Sequence, residues 1–208
     1  MSTVKYDGQA ARWTDDAYAD AAGYLAHRAE LILALGPRLA AGDAVLDLAC
    51  GDAGLAEPLL AAGLRYRGVD LSPAMVDAAR RRVGDRAKIV LADLNEYGPP
   101  GPVACATCFR AVYYAPDRRA FFRHVASFTE KKLVFDLNPR QFRVADVLAD
   151  LRAAGLAEVT LRPFFFPQRV APPRPFAAAL NAAERSGPLA RALLRIRFSY
   201  LVSAARAG

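Results

Sequence analysis

An apolar run ending in small residues, followed by acids at two later strand ends, carries the chemistry legible in this chain. Val45-Leu46-Asp47-Leu48-Ala49-Cys50-Gly51-Asp52-Ala53-Gly54 reads as a buried strand that passes through small residues into a helix. Small residues let a ligand lie against the backbone with amide N–H groups facing it. Ala49, Gly51 and Gly54 also fit a loose dinucleotide fingerprint, so this stretch alone does not choose a ligand. Asp70 ends a second strand, nineteen residues after Gly51, where a carboxylate can accept from both hydroxyls of a ribose. Asp93, in Leu91-Ala92-Asp93-Leu94, ends a third. A carboxylate there can accept from the exocyclic amine of an adenine, with Leu71, Met75 and Leu94 on either side of the ring. Any one of these acids could instead cap a helix. Acids at the ends of three consecutive strands form a site.

The elements that must place these residues follow from hydrophobic periodicity. Strands are expected at 44–49, 65–69, 88–91, 103–108, 133–135, 157–166 and 196–202. Helices are expected at 53–62, from Ser72-Pro73 onward, and at 116–128, 142–154, 176–184 and 189–194. Ser72 is a natural N-cap and Pro73 suits the first helical position. Val76, Ala79 and Val83 fall on one face of that helix. Alternating strands and helices imply an α/β fold with a mostly parallel sheet, helices on both faces, and ligand sites at the strands' carboxyl ends. The last strand returns beside its predecessor and is expected to be antiparallel. Residues 163–176 hold five of the fourteen prolines and interrupt regular structure. Residues 1–40 read as helical and polar, dotted with Tyr6, Trp13, Tyr18 and Tyr24.

Composition removes other chemistries. The 208 residues, 54% hydrophobic and 24% charged, suit one globular domain. Two histidines, His27 and His124, cannot build a multi-histidine zinc site. Cys105 and Cys108 form the one CxxC, in an apolar strand, and read as core thiols; no metal is expected. There is no phosphate-binding GxxxxGK[ST] and no GxSxG nucleophile elbow. No run of 18 apolar residues occurs, and the first 30 residues carry four aspartates and no apolar core of a signal peptide. A reduced, cytoplasmic protein is expected, with a membrane-peripheral position left open. The net charge of +7 resides in residues 139–208, which hold 11 basic and 4 acidic side chains.

On these residues the chain resembles the class I S-adenosylmethionine-dependent methyltransferases, in the group that acts on small molecules, over about residues 45–138. The resemblance implies a Rossmann-like seven-stranded sheet whose last strand is antiparallel, with S-adenosyl-L-methionine held by Asp47, Ala49, Cys50, Gly51, Asp70, Leu71, Met75, Asp93, Leu94 and Phe109. Ala49 and Ala53 stand where this family often has glycine. It divides the chain into an N-terminal helical lid (1–40), a cofactor-binding core (41–166), a basic helical insertion (167–195) and the last strand (196–206). A nicotinamide-dependent oxidoreductase would explain Asp70 and the glycines but not Asp47 or Asp93, and would lack a substrate domain. A non-catalytic nucleotide-binding scaffold is the other alternative.

Methyl transfer from a sulfonium is an in-line displacement that needs the acceptor close, aligned and dry. No general base is assigned: His27 and His124 sit on helices away from the strand tips. Tyr18, Arg110, Tyr113, Tyr114 and Asn138 are the candidate substrate residues, with core packing the alternative for the two later tyrosines and a chain turn for Asn138. The acceptor is expected to be small and lipophilic in character. Residues 167–197 combine Arg169, Arg174, Arg185, Arg191, Arg195 and Arg197 with Phe176 and several leucines. Such a segment could touch anionic lipid, admit a lipophilic or anionic acceptor, or simply cap the sheet. Only Phe176 and Phe198 interleave with its basic residues, so nucleic acid is the least supported partner. The oligomeric state is open.

Overall fold

The computed structural model describes Ala10, residues 13–196 and residues 199–206. Tyr6, Arg197 and Phe198, named above, lie outside the described residues. Seven strands form one sheet: β1 (Ala44–Leu48), β2 (Arg65–Asp70), β3 (Lys88–Leu91), β4 (Val103–Cys108), β5 (Thr129–Leu137), β6 (Glu158–Phe164) and β7 (Ser199–Ala205). Their order is β3-β2-β1-β4-β5-β7-β6. β7 runs antiparallel to β5 and β6, and the other pairings are parallel. The helices are α1 (Trp13–Ala17), α2 (Ala21–Ala34), α3 (Ala56–Ala61), α4 (Pro73–Val83), α5 (Arg118–Phe128), α6 (Val144–Ala153), α7 (Arg174–Glu184) and α8 (Gly187–Ile196).

Strand periodicity divides the core into two layers. Val45, Cys105, Val134 and Leu201 pack with residues of α2, α3 and α4 on one face. Leu46, Leu48, Cys108, Phe135 and Val202 pack with α5 and α6 on the other. β1 is central, and successive strands proceed outward on opposite sides of it. That reversal opens a crevice at the carboxyl ends of β1 and β4, where sheets of this kind bind ligands.

Several boundaries differ from the sequence expectation for physical reasons. β5 begins four residues earlier than expected because Glu130, Lys131 and Lys132 conceal it. Lys132 is fully buried, and its Nζ donates to the carbonyls of Ile32 (2.6 Å) and Leu35 (2.5 Å), capping the end of α2 with charge. α5 starts at Arg118, after Asp117 accepts from the Ala120 amide (2.9 Å). α3 starts at Ala56 because Ala53 has φ +57°, which no helix accommodates. The last strand lies three residues later than expected. α4 begins as read: Ser72 Oγ accepts from the Met75 amide at 3.3 Å.

The basic segment after β6 folds back as α7 and α8, which pack against β6. Its single acid, Glu184, is buried. It accepts from the Phe165 amide (2.7 Å) and bonds His27 Nε2 (2.9 Å), so His27 fastens α2 to α7. His124 bonds the Tyr97 carbonyl (3.0 Å). Both histidines are thus engaged in the fold.

Candidate active site

The turn after β1 adopts an unusual backbone. Ala49, Gly51 and Ala53 have φ of +59°, +56° and +57°. The left-handed region costs an L-residue roughly 1–2 kcal/mol. Glycine at positions 49 and 53 would relieve that strain, which explains the glycines common there in the family the chain resembles. At Gly51 a side chain would also meet the Trp13 ring, 3.2 Å from Cδ1.

This turn presents Gly51 to Asp70 at the end of β2. The Gly51 amide donates to Asp70 Oδ2 (2.8 Å) and the Ser72 amide to Oδ1 (2.9 Å). Two fixed donors hold the carboxylate in one plane and leave lone pairs for a ligand. Burial pushes the Asp70 carboxyl up, against the pull of those amides. At the end of β3, Asp93 Oδ1 accepts from both the amide and the side-chain nitrogen of Asn95 (2.8 Å each). Among the described residues no donor is assigned to its Oδ2. Asp47 is deeper: buried, it accepts from the Tyr66 hydroxyl and Thr107 Oγ1, both at 2.7 Å. Burial pushes its carboxyl up to about 6, although those hydrogen bonds and Arg28 oppose the shift.

A cavity of about 580 Å³ opens above these strand ends, within the range of ordinary small-ligand sites. Asp47, Ala49, Cys50 and Gly51 line it from β1 and its turn, and Asp70, Leu71 and Met75 from β2 and α4. Asp93 and Leu94 line it beyond β3; Phe109, Arg110, Tyr113 and Tyr114 beyond β4; and Tyr18 beyond α1. Fourteen of the fifteen residues expected at the site therefore border one hollow. Asn138 is the exception: it does not border the cavity. Its Oδ1 accepts from the Arg140 amide (3.0 Å) and its carbonyl from Gln141 and Phe142, so it turns the chain after β5.

The structure adds residues that sequence reasoning missed. Arg28 is 4% exposed and lines the cavity. Its guanidinium donates to the Tyr24 hydroxyl (2.8 Å) and lies 4.2 Å from the centre of the Phe109 ring, while its Nε is buried without a partner. The spacing of Tyr24 and Arg28, four residues apart on one helix, is the signal that could have found it. Asp52 is also buried. It accepts from the Thr14 amide (3.1 Å), the Thr14 hydroxyl and Arg82 Nη2 (2.7 Å), and so ties α1 across the Gly51 turn. Gly54 has no room for a side chain because Thr14 Oγ1 occupies that space. Among the described residues no group of three histidine, cysteine or acidic side chains could hold a metal ion.

Residues 45–132 match the family model of the methyltransferase domain. No curated protein matches the chain. Solved structures do match. A TehB-like S-adenosylmethionine-dependent methyltransferase from Corynebacterium glutamicum aligns with a TM-score of 0.66 and 19% identity, over 99% of this chain and 100% of that one. Magnesium protoporphyrin IX methyltransferase from Synechocystis, with S-adenosylmethionine bound, gives 0.64 and 19%, over 99% and 92%. Phosphoethanolamine N-methyltransferase 2 from Haemonchus contortus, with phosphomonomethylethanolamine and S-adenosylhomocysteine, gives 0.63 and 16%, over 88% and 53%. The match over residues 45–132 and these likenesses give the chain the fold of S-adenosylmethionine-dependent methyltransferases. These comparisons lend no support to the nicotinamide-dependent reading.

Proposed function

We propose that this domain methylates a small molecule held between the cofactor cavity and the aromatic residues after β4. The supporting observation is the pair of carboxylates, Asp70 and Asp93, on one cavity wall beside the Gly51 turn. Both groups suit a nucleoside: Asp70 is oriented for two ribose hydroxyls, and Asp93 keeps Oδ2 for an adenine amine. Leu71, Met75 and Leu94 supply apolar surface for the ring. S-adenosylmethionine, when bound, supplies a methyl group on a sulfonium that an acceptor displaces in line. Arg28, Phe109 and Asp47 border the part of the cavity beyond the ribose acid, and Arg28 suits the cofactor's carboxylate. Tyr18, Arg110, Tyr113 and Tyr114 would surround the acceptor, exclude water and align it.

The direct test is calorimetric titration with S-adenosylhomocysteine, followed by methyl transfer from labelled cofactor to a panel of small acceptors. Asp93→Ala is expected to weaken S-adenosylhomocysteine binding by about 1 kcal/mol, because one hydrogen bond is lost. Unchanged affinity would remove Asp93 as the adenine acceptor.

A membrane-peripheral position is the second reading. Val170, Phe176 and Leu189 are 64%, 56% and 51% exposed on the basic segment that contains α7 and α8. Among the described residues no helix is long and apolar enough to cross a membrane. Co-sedimentation with phosphatidylglycerol vesicles at low salt is expected, and Phe176→Ser with Leu189→Ser should abolish it. Absence of sedimentation by the unaltered protein would dismiss this reading.

A further inference from the structure

We infer that Arg110 anchors a carboxylate on the methyl acceptor, so that the preferred acceptor is an aromatic acid. This rests on the methyl-transfer reading above and names the substrate class for it. Arg110 follows β4 with φ +55°, and its amide is fixed by Asp136 Oδ1 at 2.7 Å. Its guanidinium lies 5.7 Å from the Trp13 ring centre and borders the same hollow as Tyr18. Nη1 is buried and has no partner. Among the described residues no carboxylate forms a salt bridge with it. A half-buried guanidinium with one buried, open donor is poorly satisfied by a neutral ligand and well satisfied by a planar anion that accepts at two points.

The position of Arg110 assigns that anion to the acceptor. A second cavity of about 450 Å³ adjoins the first and shares with it Trp13, Tyr18 and Arg110. Gln168 and Arg169 complete its basic side, while Asp15 and Asp16 border it from the exposed face of α1. None of the nucleoside-facing residues Gly51, Asp70 or Asp93 borders this second cavity. Arg28, by contrast, borders only the first. Arg110 therefore stands at the junction, with the cofactor on one side and open space for another molecule on the other. Trp13 and Tyr18 are the flat walls of this second cavity, and Tyr113 and Tyr114 flank Arg110 from the first; flat walls of this kind suit an aryl ring.

Trp13 is the sole tryptophan of the chain and reports on this junction by fluorescence. The protein is saturated with S-adenosylhomocysteine and titrated with benzoate and, separately, with benzamide. Benzoate is expected to bind about tenfold or more tightly than benzamide, as loss of a charged hydrogen bond requires. Arg110→Gln should erase that difference while leaving S-adenosylhomocysteine affinity within about twofold, a change worth less than a single hydrogen bond. Equal binding of the two probes by the unaltered protein overturns the inference without needing any variant. So does a large loss of S-adenosylhomocysteine affinity in Arg110→Gln, which would assign Arg110 to the cofactor's own carboxylate. Failure of the unaltered protein to bind S-adenosylhomocysteine would instead strike the methyl-transfer reading itself, and this inference with it.

Discussion

Asp70→Ala is expected to weaken S-adenosylhomocysteine binding by about 1.5–3 kcal/mol, roughly ten- to hundredfold in Kd, which is the value of hydrogen bonds to a charged group. The carboxylate is held by the Gly51 and Ser72 amides, so its direction is set before any ligand arrives. The Ala variant also leaves those amides unpaired and could reshape the turn. Asp70→Asn separates the two effects: it retains an acceptor and the shape of the side chain but loses the charge. Its affinity should fall between the two, with thermal stability close to that of the unaltered protein. Calorimetry showing equal affinity in all three proteins would remove Asp70 from the nucleoside site.

Asp47 should make stability depend on pH in a direction unusual for a carboxylate. Burial holds its folded-state pKa at about 6, above the ordinary value near 4. Between those values the folded protein keeps a proton that the unfolded chain has released. The Asp47 contribution is therefore most favourable below about pH 4 and is lost as pH rises through about 6. Above that the retained charge costs about 3 kcal/mol, taking roughly 1.4 kcal/mol per pKa unit. Asp47→Asn cannot ionise and keeps an acceptor for Tyr66 or Thr107. Urea unfolding should show its stability, relative to the unaltered protein, rising by about 2 kcal/mol from pH 4 to pH 7. A difference that stays flat with pH would refute the assignment. A cationic ligand beside Asp47 favours the carboxylate, so the step should narrow when S-adenosylmethionine is present.

Much of this was legible from residues alone, because the acids and the small-residue turn are local signals. Asp70 and Asp93 each end an apolar strand, and parallel strands bring such ends to one side of the sheet. The same locality explains the failures. Asn138 also follows a strand, but its neighbours Arg140 to Phe142 use it to turn the chain. Arg28 carries no signal of its own in a segment that reads as helical and polar, and the packing of α2 on the sheet buries it. Asp52 looks like one more loop acid until Thr14, thirty-eight residues earlier, is seen to reach it. Lys132 hid a strand because a lysine in a core is understandable only once the carbonyls of Ile32 and Leu35 are beside it.

Asp52 has a cation of its own, Arg82, whose Nη2 shares Oδ2 with the Thr14 amide. Without the Thr14 bonds the acid would still have that countercharge. The Thr14 amide and hydroxyl bonds to Asp52 are worth on the order of 1–3 kcal/mol together. The anion beneath the Gly51 turn is thus neutralised by the sheet's own helix, whatever holds α1 in place.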